Sequence, residues 1–547
     1  MKNKILLLIL ILPFISFAAY ADVPTSWAKI YDNSSCEYAQ SVQQTSDGSY
    51  VVAGRTDSCG TDGSNAWVLK LDTSGEVQWK KTYNDSDADS VSSVQQTSDG
   101  GYIVAGTSYF FATYKANAWV LKLNSIGNVQ WKKTFSGSNC YRASSIHQTS
   151  DNGYVVAGGT GSCDTDGSNA WVLKLDSSGS VQWEKIFDQG GTDSVSSVQQ
   201  TNDGGYIVAG DTYYGSINGI WVLKLNSSGN VQWKKIYSVS DDDRGYSVRQ
   251  TSDGGYVVTG NTYSYSTGES NICVLKLDLS GNVQWQKTYS NSDNDRGYSV
   301  RQTSDGGYVI AGETDVYNGI DGAWLLKLDS IGSVQWSKAY SISDYDSAYS
   351  VNQTSDSGYV VAGFAYSNST NESDAWLLKL DTSGSIPGCD MIESFIPTVA
   401  TNSVNVTISS ASVGAPLVTA NTSSAIITDT GIQTQTVCGT VCNDTDLDTI
   451  CNDVDNCPDI CNPSQLDADG DKTGDACDTT PGCGGCGQPA CEISCDIDND
   501  GILNTEDNCP DNCNTQQLDF DNDTIGDVCD PEPGCEGCGA TQCEVEC

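Results

Sequence analysis

One phrase recurs seven times in the first 380 residues of this 547-residue chain, and it fixes most of what the chain can fold into. It reads QTSDGGYVVAG, then a variable loop, then AWVLKLDSSGNVQWKKTY. Its repeated tyrosines fall at Tyr50, Tyr102, Tyr154, Tyr206, Tyr256, Tyr308 and Tyr359, a period of 50 to 52 residues. A period of that size means one supersecondary unit, stacked or set in a circle. Each unit holds four short segments rich in Val, Ile, Tyr and Trp, which is strand composition. In the fifth unit they are SVRQT (247–251), YVVTG (256–260), ICVLKLD (272–278) and VQWQKTY (283–289). The joints Ser252-Asp253-Gly254-Gly255 and Leu279-Ser280-Gly281-Asn282 carry the Asp and Gly chemistry of tight hairpins. Four antiparallel strands, seven times over, predict an all-β fold, a seven-bladed β-propeller.

The ends of the array predict closure. The seventh unit stops after Trp376-Leu377-Leu378-Lys379-Leu380, without its VQWxKxY strand, and the missing strand stands at the other end as Trp27-Ala28-Lys29-Ile30-Tyr31. An N-terminal strand that completes the last blade removes both open sheet edges. All thirteen tryptophans lie in this region and are expected to pack between blades. Cys273 replaces a third-strand Trp, so a buried, inert thiol is expected there.

Residues 1–21 read as a secretory signal: Lys2 and Lys4 precede the apolar run 5–17, and Ala19-Tyr20-Ala21 supplies an A-x-A cleavage site. No later segment approaches the ~20 apolar residues that span a bilayer. Twenty-three cysteines in an exported chain read as disulfides. Cys36 and Cys59 are 23 residues apart, as are Cys140 and Cys163 at equivalent places two repeats later, and these are expected to pair. Cys389 and Cys438 bracket the next segment and form a third expected pair. Sixteen cysteines remain in the tail, nine up to Cys495 and seven after it; both counts are odd, so a bridge between the halves is expected.

The chain therefore divides into a signal (1–21), the propeller (22–388), a Ser/Thr/Val-rich spacer (389–438) and a disulfide-rich tail of two units (439–547). The alternating run Ser403-Val404-Asn405-Val406-Thr407-Ile408 favours a small strand-rich spacer over an extended stalk. Two N-x-S/T sequons stand in it, at Asn405 and Asn421.

The net charge of −43 is uneven: residues 440–547 hold 27 acidic side chains and one basic one, Lys472. That excludes nucleic acid as a partner and favours a cation. Four twelve-residue stretches place oxygen ligands at positions 1, 3, 5, 9 and 12. They are Asp444, Asp446, Asp448, Asn452 and Asp455; Asp467, Asp469, Asp471, Asp475 and Asp478; Asp496, Asp498, Asp500, Asn504 and Asp507; and Asp519, Asp521, Asp523, Asp527 and Asp530. Calcium takes six to eight oxygens in loose geometry, and a turning loop with this spacing can wrap one ion. Two carboxylates at ~4 Å repel by about 4 kcal/mol at an effective dielectric near 20, so such loops call for a cation. With Phe520 as its only aromatic, the tail is either ordered by cross-links and metal or not ordered at all.

The stretches DNCPDICNPSQLDADGDKTGDACD (455–478) and DNCPDNCNTQQLDFDNDTIGDVCD (507–530) resemble thrombospondin type 3 repeats. The resemblance covers about 444–530. It implies calcium on the twenty ligands named above and disulfides along an extended, calcium-wrapped module. Departures are Thr449, Lys472 and Thr524 where position 6 is Gly501 in the third loop, and the extra Cys451, Cys461 and Cys513. The closing clusters PGCGGCGQPACEISC (481–495) and PGCEGCGATQCEVEC (533–547) offer either four-thiolate zinc sites or disulfides, and export favours disulfides.

His147 is the only histidine, at a place filled elsewhere by Gln43, Gln95, Gln199, Arg249, Arg301 and Asn352, so it reads as a polar channel residue. One histidine assembles no catalytic triad. The phrase LDxSGxVQW, as in residues 71–79, resembles the repeat of pyrroloquinoline quinone dehydrogenases, whose Trp-docking repeats are structural. A quinoprotein or a glycan-processing propeller is the alternative reading; the latter needs a channel arginine cluster, for which Arg249 and Arg301 are the candidates. The loops 108–117, 263–271 and 365–374 vary between blades, and Asp241-Asp242-Asp243-Arg244 is matched by Asp293-Asn294-Asp295-Arg296; either drift or a binding face explains this. The expectation is an exported calcium-binding protein for adhesion or scaffolding, not an enzyme, whose propeller head meets a cell-surface or extracellular protein or polysaccharide.

Overall fold

The computed structural model describes residues 26–439, apart from breaks at 33–35, 58–62, 85, 163–167, 189–190, 215–216, 292–293 and 317–319 and the links between short strands after residue 387. It divides into two compact units, residues 1–439 and 440–547. The twenty tail ligands, Asp444 to Asp530, lie outside the described residues, as do the signal segment and the tail cysteines.

The first unit is an all-β ring of seven four-stranded blades. Blade 5 is representative: Asp242–Gln250, Tyr256–Tyr263, Ser270–Leu277 and Val283–Ser290 pair antiparallel in that order. The seventh blade is completed as its missing strand predicts. Trp27–Asp32 pairs antiparallel with Glu372–Leu380, Ile30 opposite Trp376.

Interblade packing rests on two sets of tryptophans. Third-strand Trp67, Trp119, Trp171, Trp221, Trp324 and Trp376 are fully buried, and Cys273 takes the seventh place as a free, buried thiol whose pKa burial pushes far up. Each outer-strand Trp lies against the last hairpin of the next blade, as Trp27 lies on Gly75 and Trp233 on Gly281. Those glycines sit at φ of 71–81°, and a Cβ on any of the seven would fall 2.7–3.0 Å from an indole. Glycine is thus required twice over, by conformation and by contact. This docking accounts for the LDxSGxVQW phrase. Each outer-strand Trp also meets a second-strand Tyr of the next blade edge-on, centroids 5.5–5.8 Å apart.

On the face of the SDGG turns, each third-strand lysine is buried and reaches the turn aspartate, from Lys70–Asp47 to Lys379–Asp356, at 2.6–3.1 Å. Burial raises the pKa of these aspartates, but hydrogen bonds from Thr, Lys and backbone N–H outweigh it and bring Asp99, Asp151, Asp203 and Asp305 to about 2.

The spacer forms strands, as its alternation predicts, but lays them along the ring. Ile392–Ser394 pairs with the outer strand of blade 6, Thr398–Ala400 with blade 5, Asn405–Thr407 with blade 4, Ser412–Gly414 with blade 3, Thr419–Asn421 with blade 2, Ile426–Thr428 with blade 1 and Gln433–Gly439 with Trp27–Asp32. The register is strict. Ile392, Val399, Val406, Val413, Ala420, Ile427 and Thr434, seven residues apart, stand opposite Tyr340, Tyr289, Tyr237, Phe187, Phe135, Tyr83 and Tyr31. Seven extended residues reach about 23 Å, enough to step from one blade edge to the next. The segment is a belt that gives every blade a fifth strand. Cys36, Cys140 and Cys389 are disulfide-bonded; their expected partners Cys59, Cys163 and Cys438 lie where no side chain is described.

Candidate functional site

The seven innermost strands surround a central cavity of about 320 Å³. Each contributes a four-residue phrase: Gln40-Ser41-Val42-Gln43, then SSVQ, SSIH and SSVQ on blades 2 to 4, and YSVR, YSVR and YSVN on blades 5 to 7. Every one of these strands carries a bulge at the first residue of the phrase. A bulge leaves its extra residue outside the ladder and re-aims the side chain. Here it adds a cavity-lining residue at Gln40, Ser92, Ser144, Ser196, Tyr246, Tyr298 and Tyr349.

The second residue is serine in all seven phrases, and its role is structural. Each Ser Oγ accepts a hydrogen bond from the Val or Ile N–H of the next blade, from Val94 N to Ser41 Oγ (3.2 Å) round to Val42 N to Ser350 Oγ (3.3 Å). Innermost strands would otherwise expose buried N–H groups on their open edge. A second closed ring runs below it: the glutamine at the end of each innermost strand accepts the N–H of a turn residue in the preceding blade, as Gln96 Oε1 accepts from Ser46 N at 2.8 Å. Both rings close between blades 7 and 1, so the circle is sealed by hydrogen bonds as well as by strand pairing.

The fourth residue differs, and it gives the cavity its chemistry. Gln43, Gln95 and Gln199 accept from Gln96, Gln148 and Gln250 N–H at 2.7–2.9 Å. His147 lines the cavity as expected; burial first, then the Arg249 charge, hold its pKa down to about 4, and its Nδ1 is buried without a hydrogen-bond partner. Arg249 and Arg301 lie on adjacent blades, with Arg301 Nε donating to Asn352 Oδ1 at 2.9 Å.

The tyrosines precede the arginines on strands that run from the variable-loop face towards the SDGG face, so they form the outer rim. Tyr246, Tyr298 and Tyr349 follow one another at centroid distances of 5.3 and 5.1 Å. The row continues through Phe364 and Tyr38, which lies under the Arg55 guanidinium at 4.5 Å. Glu313 ties the rim together, accepting from Tyr298 Oη at 2.7 Å and from Arg296 at 2.5 Å. The column Gln40, Ser92, Ser144, Ser196, Tyr246, Tyr298, Tyr349 was legible by aligning the repeats, yet the rim was not among the sites expected from sequence.

The matched acidic loops are partly structural. Asp243 and Asp295 are fully buried and accept loop N–H groups, Val239 to Asp243 at 2.7 Å and Asn291 to Asp295 at 2.8 Å. Among the described residues no group of three or more His, Cys, Asp or Glu side chains is placed to hold a metal ion, and no helix is long and apolar enough to cross a membrane.

A family model described as thrombospondin type 3 repeat matches residues 489–517, which include the loop Asp496, Asp498, Asp500, Asn504 and Asp507. No curated protein matches the chain. Among solved structures the chain is similar to Sqt1 from Chaetomium thermophilum, at 12% identity over 66% of this chain and 89% of that one, with a TM-score of 0.35. It is similar to a puromycin hydrolase at 10% identity over 64% and 54%, with a TM-score of 0.37. A third is MPT-4, a mannose phosphorylase from Leishmania mexicana, at 10% identity over 64% and 85%, with a TM-score of 0.26. Likenesses of this strength carry no argument about function.

Proposed function

We propose that this chain is an exported, calcium-binding recognition protein that works outside the cell without catalysis. Its propeller meets a cell-surface or extracellular protein or polysaccharide, and the acidic units from Asp444 to Asp530 bind calcium. The observation that carries this reading is the thrombospondin type 3 match at 489–517. Repeats of that type bind calcium and suggest an extracellular protein, and the register of that loop recurs in the other three. The channel supports the non-catalytic part. Seven of the ten serines lining it accept interblade hydrogen bonds, an arrangement suited to rigidity.

The test is a calorimetric calcium titration of the oxidised chain without residues 1–21. About four ions per chain are expected, and the Asp496→Asn/Asp498→Asn/Asp500→Asn variant should lose one of them. No binding at millimolar calcium, the weak end for extracellular sites, overturns the calcium reading. Retention on cells or polysaccharide that is lost with a chelator supports recognition, whereas turnover on a sugar library would favour a propeller enzyme.

A further inference from the structure

The cavity carries a charge opposite to that of the chain around it. The whole chain stands at −43, yet among the described residues the cavity lining holds Arg249, Arg301 and His147 and no carboxylate. The seven third-strand lysines face acids, and so do Arg55, Arg244 and Arg296. Arg249 and Arg301 instead spend their bonds on neutral oxygens. Arg249 Nη1 donates to Ser197 Oγ at 3.0 Å and to Val248 O at 2.7 Å; Arg301 donates from Nε to Asn352 and from Nη1 to Val300 O at 3.0 Å. A guanidinium has five N–H groups, so each keeps about three for the cavity. Burial, and for Arg301 also the Arg249 charge, disfavours the charged form of both, bringing Arg249 to about 10.

Two like charges held side by side in a confined space call for a counter-charge. The described residues lining the cavity supply none, and His147 on blade 3, whose Nδ1 is buried without a hydrogen-bond partner, lines the same cavity. Planar forks match the two-oxygen edge of a carboxylate, phosphate or sulfate. The tyrosine row along the rim offers flat faces to the body that carries such a group. We propose that the cavity is an oxyanion site, entered past Tyr246, Tyr298 and Tyr349 and closed by Arg249 and Arg301. This deepens the reading of the propeller as the recognition head and rests on it.

The test is calorimetric titration of the oxidised chain without residues 1–21 in chloride-free buffer. The probes are inorganic phosphate, sulfate, acetate, glucuronate and, as a neutral control, glucose. At least one oxyanion should bind at millimolar concentration or tighter and raise the melting temperature. The Arg249→Gln/Arg301→Gln variant should weaken it at least tenfold and abolish that rise. Glutamine already fills this position on blades 1, 2 and 4, and loss of two uncompensated charges should leave the ligand-free melting temperature unchanged or higher. Glucuronate binding tenfold tighter than acetate assigns the rim to an acidic sugar; phosphate or sulfate binding tightest assigns the site to an inorganic or ester oxyanion. No binding of any oxyanion at tens of millimolar, or equal binding by the variant, overturns the proposal. Calcium uptake reports on the tail alone and should be the same in both proteins, so failure here is distinguishable from failure of the calcium reading.

Discussion

Gly281 shows how narrowly single residues are specified. At φ +71° and with Trp233 where its Cβ would go, Gly281→Ala should lower stability by about 2 kcal/mol, read as a lower denaturation midpoint at unchanged slope. Titrating residues act in opposite senses. Asp99, Asp151, Asp203 and Asp305 have pKa values near 2, below the unfolded value of about 4, so their stabilisation is complete above pH ~4 and is lost as pH falls towards 2. Denaturation midpoints at pH 5 and pH 3 check this. Asp346 runs the other way. Burial raises it to about 7, and its Oδ1 has no partner, so it costs stability increasingly as pH rises from ~4 to 7. Asp346→Asn keeps an acceptor for the Ile342 and Ser343 N–H groups and should raise the melting temperature at pH 8 but not at pH 4. Such pairs as Lys70 with Asp47 were not legible in the sequence, because the partners stand 23 residues apart with no local signal joining them. His147 was legible, since seven aligned columns show what its neighbours in the ring are.

Among elements, strand type and pairing order were the readable part: Tyr50 recurs in all seven units, and Trp67 and Trp79 with their turns in six of them, and together they leave one four-stranded solution. The belt was harder to see. Six of its seven strands are three residues long, so the alternation of 403–408 marks strand character without placing it, and the placing signal is a seven-residue spacing from Ile392 through Val399, Val406 and Val413 that has meaning only once the ring is drawn. Its role follows from what it covers. Without it each blade would present an unpaired outer edge, which templates association. A chain ending at residue 388 should therefore self-associate at concentrations where one ending at Gly439 stays monomeric, measured by light scattering. The serine ring is the inner counterpart. Ser299→Ala leaves the N–H of fully buried Val351 without an acceptor and should cost about 1–3 kcal/mol in chemical denaturation.

At the scale of the whole ring, Trp27–Asp32 lies between the last blade strand and the last belt strand, so both ends of the propeller unit share one blade. That arrangement has a mechanical side. Trp27 stands opposite Gly439 in an antiparallel pair, so tension applied at these two points opens the ladder one rung at a time instead of shearing it. Once the last strand lifts, the load passes to Ile426–Thr428 and then blade by blade round the rim, paying out seven residues, about 23 Å, per step. In an optical trap the reduced protein should lengthen in a regular low-force staircase before any blade unfolds. A bridge from Cys389 to Cys438 would carry the same load straight into the seventh blade, and the staircase would vanish on oxidation. The girdle is then a shock absorber whose engagement is set by a single covalent bond.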